Sequence, residues 1–111
     1  MNTYNSLSSV QSDLFNNKIT CVELVESYLT RIETKKQLNI FLETFSASAR
    51  AKAKLVDEKI KSKTAGKLAG MVIAIKDNLC YKGHQLSASS KILEGFESLY
   101  DATVVERLLA E

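Results

Sequence analysis

The apolar and polar positions of the first sixty residues alternate with helical spacing. Ser8–Asn17 predicts a short first helix, its end marked by Asn16 and Asn17. Thr20-Cys21-Val22-Glu23 then has the capping-box form, with a hydroxyl at the cap and a carboxylate three residues later. Val22, Val25, Leu29 and Ile32 follow on one face and predict a helix of about three turns. Ser46 predicts the cap of another long helix, whose buried stripe is Ala49, Ala53, Val56 and Ile60. Its other face carries Arg50, Lys52, Lys54, Asp57, Glu58, Lys59, Lys61 and Lys63. Asp57 and Glu58 interrupt the basic run, so this face reads as solvated and not as a phosphate-binding stripe. Asn39–Phe45 places Ile40, Leu42 and Thr44 at alternate positions, which fits either a short strand or a loop.

Beyond residue 60 the pattern changes. Lys61–Gly70 reads as a polar loop containing glycine, and Met71-Val72-Ile73-Ala74-Ile75 as a continuous apolar strand ending at Lys76-Asp77-Asn78. A strand apolar at every position is one covered on both faces, as in the centre of a largely parallel sheet. Lys82–Ser90 predicts a loop, with Ser90 capping a turn that runs through Leu93 and closes at Gly95. Asp101 predicts the cap of a last helix with Val104, Val105, Leu108 and Leu109 inward. The fold class expected is therefore α/β, with helices first and then the opening strand of a mixed sheet. That last helix meets no glycine or asparagine stop before Glu111, and the buried strand has no neighbour in the sequence to complete its ladder. Both features predict that residues 1–111 are the N-terminal part of a single, larger domain.

Composition narrows the class without changing the picture. With 45% hydrophobic and 25% charged residues, the chain reads as ordinary globular protein. Its net charge of +2, with both signs interspersed, argues against a nucleic-acid or membrane-surface domain. Cys21 and Cys80 lie far apart and outside any CxxC pattern, so neither a zinc site nor a disulfide framework is indicated. Two free thiols fit a reducing compartment, and with no signal-like start or apolar span the expectation is cytoplasmic.

Candidate chemistry centres on Lys76, because ligands of open α/β sheets gather at the C-terminal ends of strands. An ordinary lysine is only about 0.04% neutral at pH 7, so a lysine base needs burial or hydrogen bonds to the neutral amine. At the end of this strand it would lie at the mouth of the core, partly desolvated. Taken on its residues alone, Lys76 reads more readily as a snorkelling surface lysine than as a base. His84 is the one histidine, in a loop, and reads as a surface residue; Cys80 reads as a small buried hydrophobe. Gly66-Lys67 is followed by Leu68 and lacks the hydroxyl of a phosphate loop.

Gly70-Met71-Val72-Ile73-Ala74-Ile75-Lys76-Asp77-Asn78 resembles the first block of the amidase-signature family, whose pattern is close to G-x-P-x-A-x-K-D. The flanking Gly66-Lys67-Leu68-Ala69, the run from Ser87 to Phe96 and the run from Tyr100 to Leu108 are similar to it too. The likeness extends from about Thr20 to Glu111, and three blocks in order make it specific. Val72 replaces the family's proline, which permits more regular ladder pairing at that position. The resemblance is strongest to the tRNA-dependent amidotransferase branch. It implies a Ser–cis-Ser–Lys triad in which Lys76 is the base that deprotonates the bridging serine, with both serines and the oxyanion loop lying past Glu111. Ser87, Ser89 and Ser90 are left with loop hydrogen bonding and capping. It further implies glutamine as substrate, ammonia passed to other subunits of a complex, and ATP and Mg²⁺ used there to amidate glutamate on tRNA(Gln). No cofactor or metal ligand falls on this chain, which alone would be inactive. The alternatives are a free-standing amidase acting on small amides and a non-catalytic helical interaction module.

Overall fold

A computed structural model describes residues 4–111. Among them are four α-helices: α1 (Leu7–Phe15), α2 (Cys21–Thr34), α3 (Ser46–Lys61) and α4 (Thr103–Ala110), with short 3-10 turns at Lys36–Leu38 and Lys91–Leu93. The chain divides into two compact units, Met1–Val72 and Ile73–Glu111.

In the first unit, Ser6 caps α1 by accepting the Ser9 amide at 3.2 Å, and Asn17 stops it by entering the left-handed region at φ 55. The capping box at the head of α2 forms reciprocally, Glu23 N to Thr20 Oγ1 at 3.1 Å and Thr20 N to Glu23 Oε2 at 2.8 Å. α2 and α3 pack antiparallel, because residue 57 meets residues 21 and 22 while residue 50 meets residue 26. The Arg50 guanidinium grips the Glu26 carboxylate with two nitrogens, which holds that carboxyl below the usual range. The core gathers Val10 and Leu14 of α1, Cys21 and Leu24 of α2 and Ala53 of α3, flanked by Val22, Val25, Val56 and Ile60. Ala53 carries no side chain beyond Cβ, which allows the two long helices a close approach.

Several sequence expectations are corrected here. Ser46 is the first helical residue of α3 and not its cap; the cap position falls to Phe45, with no side-chain bond to the helix. Asp57 belongs to no solvated face. Its two carboxylate oxygens accept the amides of Cys21 at 2.7 Å and Val22 at 3.2 Å, so it closes the N-terminus of α2 from 35 residues away. Asn39–Phe45 is loop, opening on Asn39 in the left-handed region at φ 48. The expected strand at 71–75 is not formed, and the described residues contain no strand, only one antiparallel bridge between Gln85 and Glu97. The reason is the one that made the run look buried: its ladder needs a neighbouring strand, and none of the described segments lies beside it as one. Met71, Val72 and Ile73 stand 50%, 42% and 41% exposed.

The loop that returns to α1 is pinned by Gln11, whose side-chain amide donates to the carbonyls of Lys67 at 2.8 Å and Ala69 at 3.1 Å. Gly70 follows with φ +86, and a Cβ there would lie 2.3 Å from Leu14 Cδ1. Leu14 is 2% exposed, so its Cδ1 methyl would have to shift within the packed core to admit one.

In the second unit order comes from turns. Gly83 N donates to Ser98 O, Leu86 N to Phe96 O and Ser98 N to His84 O, at 2.9, 3.0 and 2.9 Å. Leu86 and Val105 are its buried apolar residues. α4 turns Val105 inward, with Leu108 and Leu109 half-buried, while Val104 faces out. Asp101 does not cap α4; its carboxylate accepts the Lys82 amide at 2.7 Å, and Ala102 holds the cap position without a side-chain bond.

This packing makes two substitutions costly. Gly70→Ala adds left-handed strain to a core clash and should cost about 2–4 kcal/mol, read as a lower urea midpoint. An unchanged midpoint would mean that Leu14 repacks freely. Asp57→Ala removes the cap and should cost about 1–2 kcal/mol, read in the same way. The same carboxylate bears on Cys21. A helix N-terminus ordinarily favours the thiolate. Here burial, aided by Asp57, pushes the Cys21 thiol up to about 12. At pH 8 its labelling by a disulfide reagent should run roughly 10³-fold slower than that of an ordinary free thiol, and Asp57→Asn should speed it.

Candidate catalytic site

The site is built on the turn that begins the second unit. Lys76 is exposed, not partly desolvated at the end of a buried strand as the sequence suggested. Its carbonyl accepts the Leu79 amide at 2.9 Å, closing a turn over residues 76–79. This turn anchors the residue by its backbone and leaves the flexible stem to extend into solvent.

Asp77 does the rest of the anchoring. Its carboxylate accepts the Ser87 amide at 3.0 Å and the Ser87 hydroxyl at 2.5 Å, and its main-chain carbonyl accepts the Ala88 amide at 3.0 Å. The amides of Ser89 and Ala88 also favour its charged form, after the larger effects of the Ser87 hydroxyl and amide. Together these donors hold the Asp77 carboxyl below the ordinary carboxylate range, against a smaller opposing effect of burial. The loop that supplies them is strained: Ala88 and Ser89 are successive non-glycine residues at φ 47 and φ 60.

Around this clamp the other candidates take modest places. Ser87 does the loop hydrogen bonding expected of it. Ser90 stands at the cap position of the 3-10 turn Lys91–Leu93 but makes no side-chain cap bond. His84 is not a plain surface residue: its ring is half-buried and stacks on Tyr81, with centroids 3.9 Å apart and planes 9° from parallel. Its Nδ1 donates to the Lys82 carbonyl at 3.0 Å. Cys80 is half-buried, and the contact of its thiol with the Tyr100 hydroxyl raises the Tyr100 pKa. The sequence offers Asp77 only as the neighbour of Lys76 in the Lys-Asp-Asn block, with no sign that its carboxylate engages Ser87. For that contact the signal is an aspartate followed ten residues later by a serine-rich turn, too loose a pattern to be selective.

The amidase family model matches residues 23–111. The chain belongs to the amidase family. Curated relatives of the chain carry the name of the A subunit of glutamyl-tRNA(Gln) amidotransferase. That of Chlorobaculum parvum is 46% identical over 103 residues, covering 92% of this chain and 21% of the relative. Those of Chlorobaculum tepidum and Chlorobium chlorochromatii are 42% and 43% identical over 109 and 107 residues, covering 97% and 96% of this chain and 23% of each relative. The chain thus spans between a fifth and a quarter of the length of these relatives. Among the described residues no helix is long and apolar enough to cross a membrane.

The clamp carries a pH prediction. A carboxylate whose folded pKa is depressed contributes stability above its unfolded value of about 3.9, and loses it as pH falls through the lower folded value. The amide resonances of Ser87, Ala88 and Ser89 should therefore titrate together below about pH 4. Titration at the ordinary value, or of Ser87 alone, would speak against the clamp.

Proposed function

We propose that this amidase segment belongs to the glutamine-hydrolysing subunit of a glutamyl-tRNA(Gln) amidotransferase and supplies its catalytic base, Lys76. The observation that carries the reading is the 46% identity to a relative of that name across 92% of the chain, a span that includes the Lys-Asp-Asn block. In this reading residues 1–111 are the N-terminal part of one amidase domain, and 71–75 becomes a strand of a mixed α/β sheet once neighbours are present. The half-exposed Met71, Val72 and Ile73 support that, since covering apolar surface yields about 25 cal/mol per Å².

The proposed chemistry is nucleophilic catalysis. Neutral Lys76 takes the proton of a bridging serine, which in turn takes that of a nucleophilic serine. The nucleophile attacks the glutamine side-chain amide, backbone N–H groups hold the oxyanion, and ammonia leaves as the acyl-enzyme forms. Water then releases glutamate. Both serines are supplied from outside these 111 residues, and covering strands would provide the desolvation that a lysine base requires. Ammonia passes to a partner protein of the complex, which uses ATP and Mg²⁺ to activate glutamate on tRNA(Gln), in the cytoplasm. The described residues include no cluster of three His, Cys, Asp or Glu able to hold a metal, and Gly66-Lys67-Leu68 lacks the phosphate-loop hydroxyl.

The test is Lys76→Ala in the assembled enzyme. Glutamine hydrolysis should fall by about 10²–10⁴-fold, while amidation driven by added ammonium chloride persists. Undiminished hydrolysis would remove Lys76 from the mechanism. Hydrolysis of small amides with no tRNA-dependent product would point to a free-standing amidase instead. The 111-residue chain alone should take up no serine-directed fluorophosphonate label.

A further inference from the structure

We propose that Asp77 is a positioning residue that fixes the backbone from which Lys76 projects, by clamping residue 77 onto the loop Ser87–Ser89; this rests on the reading of Lys76 as the base. Three features converge. First, residue 77 is held through both its parts, the carboxylate by the Ser87 amide and hydroxyl and the carbonyl by the Ala88 amide. One hydrogen bond would orient the side chain; the set removes backbone freedom as well. Second, the turn bond from Leu79 N to Lys76 O sets the conformation of residue 76 from the other side. Third, Ala88 and Ser89 occupy left-handed backbone conformations that side-chain-bearing residues keep only where surrounding contacts over-determine them. The Asp77 contacts supply that over-determination.

The consequence is kinetic. Lysine has four rotatable bonds, and a base must come within about 3 Å of the proton it takes. With the backbone of 76 and 77 fixed, only the side chain remains to be ordered. A misplacement of about 1 Å costs about 10²-fold in rate. The Asp77 carboxylate also has two donors of its own, the Ser87 amide and hydroxyl, so its placement does not depend on a contact with the adjacent lysine.

Two measurements test this. Hydrogen exchange on the 111-residue chain reads the clamp directly: Asp77→Ala should speed exchange of the Ser87 and Ala88 amides at least about 10-fold. Unchanged exchange would overturn the proposal. In the assembled enzyme, glutamine hydrolysis is measured per active site, counted by the end-point stoichiometry of a serine-directed label. Asp77→Ala should lower kcat by about 10- to 100-fold with KM within about twofold. Asp77→Asn, which keeps one acceptor oxygen, should recover part of the loss. A kcat per active site that is unchanged, with only the yield or melting temperature reduced, would make Asp77 a purely structural residue and overturn the proposal. Lys76→Ala run alongside separates the two failures. If it leaves kcat intact the base reading falls; if it abolishes kcat while Asp77→Ala does not, only the positioning role falls.

Discussion

The first unit depends on one carboxylate. Asp57, three turns into α3, accepts the two amides that open α2, and among the described residues no other ties those helices together in this way. A helix begins with amides that have no partner within it, and burying them unpaired costs more than any single apolar contact at this junction returns. Asp57 satisfies two of them with a full negative charge at the positive end of the helix, the arrangement the peptide dipoles favour. The bond also sets register. With residue 57 against 21 and 22, Ala53 joins Leu24 in the core, and residue 50 reaches Glu26 for the outer ion pair. α1 then lays Val10 and Leu14 over the pair, and Gly70 passes Leu14 so closely that a Cβ there would displace its side chain.

The same interaction shows what a sequence does and does not disclose. α2 is legible because its signals are local: Thr20 and Glu23 lie three residues apart, and the apolar stripe repeats within two turns. Even so, the stripe predicted from spacing lies one position off its centre, since Cys21 and Leu24 are the most buried residues of the helix and Val22 and Val25 flank them. Asp57 is illegible because it sits in a run of charges with nothing nearby to mark it; its partners lie 35 and 36 residues earlier. Ser46 and Asp101 mislead in the opposite direction. Both are good capping residues, but Asp101 is engaged by the Lys82 amide and Ser46 has entered the helix. Side-chain type states a capacity, and tertiary geometry decides which backbone amide receives it.

The candidate site divides along the same line. The Lys-Asp-Asn block is legible through its resemblance to the family's pattern, and the family match covers it. What supports Lys76 cannot. The contacts that fix it join residue 77 to residues 87 and 88 across ten positions and partly through backbone atoms, and that spacing carries no sequence signature. The strand expected before it fails for a plain reason. Five apolar residues in succession report that the run is to be covered, not by what, and strand identity is a property of the pair and not of the segment. Among the described residues that covering is not present, and Met71, Val72 and Ile73 are left half-exposed.

Asp57 and Asp77 solve one problem at two scales. Each carries a carboxylate to backbone amides that would otherwise lack a partner, and hydrogen bonds to a charged acceptor are roughly twice as strong as neutral ones. In the first unit the bond is backed by a core of five buried residues. In the second, where Leu86 and Val105 are the buried apolar residues, the clamp must hold its turn with water close by. Water competes for both the carboxylate and the amides, so excluding it would tighten the clamp more than any added contact. The residues that precede Lys76 are the apolar run itself. A strand laid against 71–75 would therefore act twice, removing exposed apolar surface and drying the turn on which Lys76 is mounted.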